Sequence, residues 1–271
     1  MKKLQLTRLF SQLGFLGLAN LGALGTKTGF CFPFFYCHGC PYASGACPLG
    51  TLEHGLYKGQ IVGQFLLFPL LILGSICMIF GRAACGWICP IGLLQRATTP
   101  LAKKMEKYSF FKKMGDSFNE KYVRYAKYFV LSTLVFLTTA LVGFMFTDIC
   151  PVGFLTGTIP LLILYPTSFT PNAFFPIALI IFILFIFLIV LVGRGWCRYL
   201  CPLGALMAPF NKVSIIHVDV DRDKCIECMA CVKICPMKIK VLDMYRDPEC
   251  ILCGKCIQIC PTAAIKYKVT G

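Results

Sequence analysis

Eight cysteines near the C-terminus fall into two runs of one spacing. Cys225-x-x-Cys228-x-x-Cys231-x-x-x-Cys235-Pro236 is followed by Cys250-x-x-Cys253-x-x-Cys256-x-x-x-Cys260-Pro261. Thiolates at this spacing hold [4Fe–4S] clusters in pairs, with the fourth cysteine of each run serving the other cluster. Cys225, Cys228, Cys231 and Cys260 are therefore expected to hold one cluster, and Cys250, Cys253, Cys256 and Cys235 its partner. Met229 stands where Gly254 stands in the second run, and Pro-Met-Lys-Ile-Lys replaces Pro-Thr-Ala-Ala-Ile. A local difference in backbone geometry is expected there, with the ligands unchanged.

A second constellation is duplicated. GRAACGWICPIGL at 81–93 and GRGWCRYLCPLGAL at 193–206 share the pattern G-R-x-x-C-x-x-x-C-P-x-G. The repeat equates Arg82 with Arg194, Cys85 with Cys197 and Cys89 with Cys201, and each copy follows a long apolar run. Two thiols from each copy make four, the number a [4Fe–4S] cluster requires. Cys85, Cys89, Cys197 and Cys201 are thus expected to form an inner site where the copies meet. Four thiolates on a 2+ core leave a net charge of about −2, so Arg82 and Arg194 beside it would favour the reduced form.

The C-P-x-G signature recurs at Cys47 and Cys150. Proline after cysteine suits the first turn of a helix, which would aim backbone N–H groups at cluster sulfurs. Cys37-x-x-Cys40 with Cys47 and Cys150 makes a further set of four, read as an outer [4Fe–4S] site. Its competing reading is free thiols or an outer disulfide. Cys31 and Cys77 are left over and read as buried thiols. Tight C-x-x-C-x-x-C spacing argues for metal clusters over a disulfide framework for the 18 cysteines.

The elements that must carry these sites are unusually apolar. Of 271 residues 57% are hydrophobic and 14% charged, which suggests a membrane protein with a modest polar part. Four stretches read as transmembrane helices: Leu9–Gly25, Ile61–Phe80, Phe129–Phe146 and Phe174–Val192. No cleavage site follows the first, so it reads as a retained span. Of the 27 basic residues, all but Lys27 and Lys58 fall on one side if both termini share it. The positive-inside rule then places both termini in the cytoplasm of a multi-pass cytoplasmic-membrane protein. The net charge of +15 accordingly marks topology and attraction to anionic lipid, with no nucleic acid implied. The expected fold class is membrane α-helical: four transmembrane helices in two pseudo-repeated halves plus a C-terminal α+β bacterial-type 2[4Fe–4S] ferredoxin domain. The halves cover about 1–95 and 127–207 of a membrane domain at 1–210, joined by a basic amphipathic connection at 96–126. The ferredoxin domain covers 211–271, with strands expected at Ile215–Val220 and Ala264–Val269.

The paired C-x-x-x-C-P motifs after apolar runs, together with the ferredoxin tail, resemble the NapH/NosR-type membrane polyferredoxins over nearly the whole chain. The resemblance implies electron transfer between the quinone pool or cytoplasmic donors and an oxidoreductase outside the membrane. The leading expectation is a transmembrane electron-transfer subunit with four [4Fe–4S] clusters. It would serve other subunits of a membrane redox complex, an outer-face oxidoreductase or electron carrier, and a cytoplasmic ferredoxin or flavoprotein. A quinol dehydrogenase with a quinone as further cofactor is the alternative, with Glu53, His54 and Asp148 as proton-handling candidates against a reading as solvated loop residues. A cluster-bearing anchor or redox sensor is a third. Haem is not expected, since His38, His54 and His217 lie outside the spans and no C-x-x-C-H occurs.

Overall fold

The computed structural model describes residues 3–24, 47–57, 64–105, 120–164, 166, 173–243 and 246–270. Six helices carry the larger part: α1 (Lys3–Ala19), α2 (Pro48–Tyr57), α3 (Gln64–Phe80), α4 (Pro90–Met105), α5 (Phe175–Leu191) and α6 (Pro202–Met207). Between α4 and α5 runs the stretch Ala126–Val130, Leu131–Leu137 and Thr138–Leu141, whose middle portion widens into π-helix. The C-terminal part holds α7 (Ala230–Ile234), α8 (Lys255–Ile259) and two strands. These are β1 (Ile216–Val220) and β2 (Ile265–Val269), paired antiparallel with Ile216 opposite Val269 and Val220 opposite Ile265.

The four-span membrane fold and the multi-pass placement in a cytoplasmic membrane are corrected by these elements. Among the described residues no helix is long and apolar enough to cross a membrane. The helices α1, α3 and α5 each have 17 residues, about 26 Å of rise against about 30 Å of hydrocarbon. The apolar run expected as a span at Phe129–Phe146 is broken by the π-segment and ends at Leu141, before Gly143 turns at φ +75°. A side chain at Gly143 would strike the Tyr57 ring, 2.7 Å from an ideal Cβ, so the turn seats α2. The first expected span, Leu9–Gly25, is no apolar rod either: Gln12 is fully buried within it and Arg8 just before it.

The helix ends carry the cysteines. After α3 the chain reverses at Gly81 (φ +53°), where a Cβ would lie 2.3 Å from Asn211 Oδ1. After α5 it reverses at Arg194 (φ 58°). Each turn leads into the first cysteine of its motif, and the proline after the second cysteine opens the next helix, Pro90 on α4 and Pro202 on α6. Proline's fixed φ and missing N–H fit that first helical position. Phe185 and Ile189 face inward on α5. Phe185 meets Trp196 edge-on with ring centroids 5.3 Å apart, which seats the second motif against the helix that precedes it.

Candidate metal centre

The inner site is assembled by two crossed arginines. Arg82 Nη2 donates to the Cys197 carbonyl at 2.8 Å. Arg194 Nη1 donates to the Cys85 carbonyl at 3.5 Å, and its Nη2 to Gly92 at 3.2 Å. Each repeat thus fixes the first cysteine of the other. The close fit needs Gly204, where a Cβ would come within 2.4 Å of Arg82 Nη2. All four thiols, Cys85, Cys89, Cys197 and Cys201, are buried.

Donors point at the sulfurs. Gln95 Nε2 lies 3.0 Å from Cys197 Sγ, and the Gly204 N–H lies 3.3 Å from Cys201 Sγ. Burial pushes the Cys89 thiol up to about 12, so a thiolate there requires a metal to hold it. The surroundings carry excess positive charge. Arg8, Arg82, Lys127, Arg194 and Arg198 are buried, while Glu53 and Glu249 are the buried carboxylates among the described residues. Glu249 takes both Arg82, at 2.8 Å, and Lys127. Burial works to raise the Glu249 carboxyl, but these cations outweigh it and hold it below its ordinary range. Burial and the Arg82 guanidinium push Lys127 the other way, down to about 8. Arg82 Nε, also buried, has no hydrogen-bond partner among the described residues. Buried cations need a nearby anion, and an anionic [4Fe–4S] cluster on four thiolates fits this donor set.

The tail brings its cysteines together as two cavities. One is lined by Cys225, Cys228, Cys231 and Cys260. The other is lined by Cys235, Cys250, Cys253 and Cys256. These are the two interleaved sets of the sequence pattern. No three His, Cys, Asp or Glu among the described residues converge as they would on a single metal ion. A cubane spreads its ligands over four corners, which suits a lining of four cysteines better than a point ion does. The cysteines of the inner motif and of the tail form no disulfide. Met229 (φ 57°, ψ 6°) and Gly254 (φ 67°, ψ 10°) take the same left-handed conformation before α7 and α8. The expected backbone difference is therefore absent, and Met229 bears the strain that glycine avoids at its equivalent.

The outer set is described in part. Cys31, Cys37, Cys40, His38 and the aromatic residues 30–36 lie outside the described residues. Cys47 and Cys150 are buried, and each precedes a helix that opens with proline. Glu53 draws their segments together. Its carboxylate accepts from the Phe146 N–H at 3.1 Å, the Thr147 N–H at 3.2 Å and Thr147 Oγ1 at 2.6 Å. Glu53 is fully buried, which corrects its reading as a solvated loop residue; His54 and Asp148 are exposed. Cys77 is buried on α3, as expected of a packed thiol.

Several site residues escaped the motif reading. Asn211 Oδ1 accepts the Arg82 N–H at 2.6 Å, and its Nδ2 donates to the carbonyls of Asp247, Pro248 and Cys250 at 2.7–3.1 Å. Gln5, Arg8 and Gln12 form a polar stripe at helical spacing on α1. Arg8 Nε and Gln12 Nε2 both donate to the Gly86 carbonyl, at 2.5 and 3.1 Å. That i, i+3, i+7 stripe was the available signal.

Comparison with known proteins agrees with this geometry. A family model described as "4Fe-4S binding domain" matches twice, at residues 62–107 and 174–218, so both copies of the inner motif fall within it. A second, "4Fe-4S dicluster domain", matches 217–261. The uncharacterized protein MJ0750 of Methanocaldococcus jannaschii is 33% identical over 90% of this chain and 87% of its own length. The ferredoxin-type protein NapH of Escherichia coli is 28% identical over 72% of this chain and 63% of its own. The methylamine utilization ferredoxin-type protein MauN of Methylorubrum extorquens is 26% identical over 69% and 59%. The chain belongs to one family with MJ0750 and is similar to the ferredoxin-type proteins NapH and MauN. The coarse function is electron transfer through [4Fe–4S] clusters. No solved structure matches the chain.

Proposed function

We propose that the chain is an electron relay with three or more [4Fe–4S] sites in series. Residues 211–271 form a two-cluster tail on the cysteine sets 225/228/231/260 and 250/253/256/235. Residues 1–210 hold an inner site on Cys85, Cys89, Cys197 and Cys201, and a further site on Cys37, Cys40, Cys47 and Cys150. A bound [4Fe–4S] cluster supplies a one-electron couple, with no bond made or broken. Arg82 and Arg194 place the two halves of the inner ligand set and offset its negative charge. Gln95 and the Gly204 N–H donate to its sulfurs and stabilise added charge. The partners are one-electron donors and acceptors of a redox complex. The observation that carries this reading is the four buried thiols inside a shell of excess buried positive charge.

Gln95→Leu tests it. The substitution removes one donor to Cys197 Sγ at near-constant volume, and Gln95 Oε1 has no hydrogen-bond partner among the described residues. A hydrogen bond of about 1 kcal/mol, at about 59 mV per tenfold for one electron, lowers one midpoint potential by on the order of 40 mV. An EPR-monitored redox titration of the anaerobically purified full chain should show one signal shifted and those of the tail unchanged. Identical titrations for the variant and the natural chain would exclude a cluster on Cys197.

A further inference from the structure

One loop of the tail lies backbone to backbone against the inner motif. Gly86 and Trp87 lie between Cys85 and Cys89; Ile251 and Leu252 lie between Cys250 and Cys253. A Cβ at Gly86 would sit 2.3 Å from the Ile251 carbonyl oxygen, so only glycine permits this approach of two backbones. Trp87 Nε1 donates to the Leu252 carbonyl at 2.9 Å. The contact is held from several sides. Arg8 and Gln12 grip the Gly86 carbonyl, Gln5 Nε2 donates to the Cys253 carbonyl at 3.0 Å, and Asn211 Nδ2 donates to that of Cys250 at 2.7 Å. The Arg82–Glu249 pair joins the residue before Cys250 to the Cys197 carbonyl.

The other end of the tail is open. Cys228 is exposed, with Ile226 61% and Met229 47% exposed beside it, whereas Ile251 and Leu252 are 1% and 5% exposed. Resting on the relay reading above, we infer that electrons cross between tail and inner site at the contact of Gly86–Trp87 with Ile251–Leu252. The set containing Cys250 and Cys253 is then the proximal one. The set containing Cys225 and Cys228 is the port for an external one-electron partner. Tunnelling weakens steeply with every through-space gap. Between Cys85 and Cys250 the path holds one non-bonded step, because Gly86 follows Cys85 and Ile251 follows Cys250. Each electron gained on one side of the contact is lost on the other, and no atom moves across it.

The test uses the full chain, purified anaerobically and reduced with dithionite. Pulsed EPR reads the spin relaxation of the inner cluster, which a nearby second paramagnet speeds. Fast relaxation is expected in the natural chain and in Cys228→Ala, and is expected to be lost in Cys253→Ala. Gly86→Val removes no ligand, so it tests the contact even where the ligand variants fail to fold; relaxation should slow several-fold at unchanged iron content. Relaxation that survives Cys253→Ala and vanishes in Cys228→Ala overturns the order. Relaxation indifferent to Gly86→Val overturns the contact. A natural chain with iron for the tail alone and no inner signal overturns the relay reading itself.

Discussion

Replacing Arg82 with methionine should destabilise the folded chain by about 3 kcal/mol. Arg82 is fully buried and holds three things at once: its guanidinium takes Glu249 at 2.8 Å and the Cys197 carbonyl at 2.8 Å, and its backbone N–H donates to the Asn211 amide oxygen. Only the first two depend on the side chain. Removing one partner of a buried ion pair costs about 3–5 kcal/mol because a charge is left uncompensated. The lower end applies here, since Lys127 remains on Glu249. Methionine is similar in length and fills the channel beside Gly204, so cavity terms stay small. Lysine should recover less than half of the loss, because a point charge cannot serve both Glu249 and the Cys197 carbonyl as the planar fork does. Chemical denaturation of the anaerobic holoprotein reads this as a lower midpoint at unchanged slope. A loss under about 1 kcal/mol would mean that the crossed arginines do not hold the repeats together.

The second large effect is a pH dependence seated at Glu53. Burial pushes its carboxyl up to about 7, against the pull of the three donors on it. Its ordinary value is 4.5, so between these limits the folded chain keeps a proton that the unfolded chain has released. Stability attributable to Glu53 therefore falls as pH rises from about 4.5 to about 7. The upper bound is roughly 3 kcal/mol, at about 1.4 kcal/mol per unit of displacement. Below the lower limit both states are protonated and the contribution is flat. Glu53→Gln keeps a neutral acceptor in place and should remove this slope. Thermal midpoints of the natural chain and the variant, followed from pH 4.5 to 8, decide it. Parallel profiles would show that Glu53 does not titrate in this range.

The cysteine pattern was legible in the sequence because its spacing is local. The two interleaved tail sets line their two cavities as the C-x-x-C-x-x-C-x-x-x-C-P pattern predicts, and the strands at 216–220 and 265–269 fall within a residue of expectation. The duplicated motif likewise put its two copies against each other, Arg82 on the Cys197 carbonyl and Arg194 on that of Cys85. What was not legible depends on partners distant in sequence. Asn211 joins Arg82 to Cys250 across 129 and 39 positions, and nothing near Asn211 marks it. Gln95 reads as an ordinary polar residue on a helix until its amide is seen beside Cys197. Hydropathy misled for a different reason. It counts apolar residues along the chain but does not register where a helix stops, and 17-residue helices ending in left-handed turns fall short of a bilayer. Met229 shows the reverse case. A residue change that suggested altered geometry left the backbone as at Gly254, because the surrounding ligand loop dictates that conformation.

Iron and acid-labile sulfide per chain, measured side by side in the anaerobically purified natural protein and in Cys197→Ala, test the inner site most directly. The relay requires the substitution to remove about four irons and about four sulfides, one cluster's worth, with the tail's content of about eight of each retained. Equal iron and sulfide in the two proteins would contradict it.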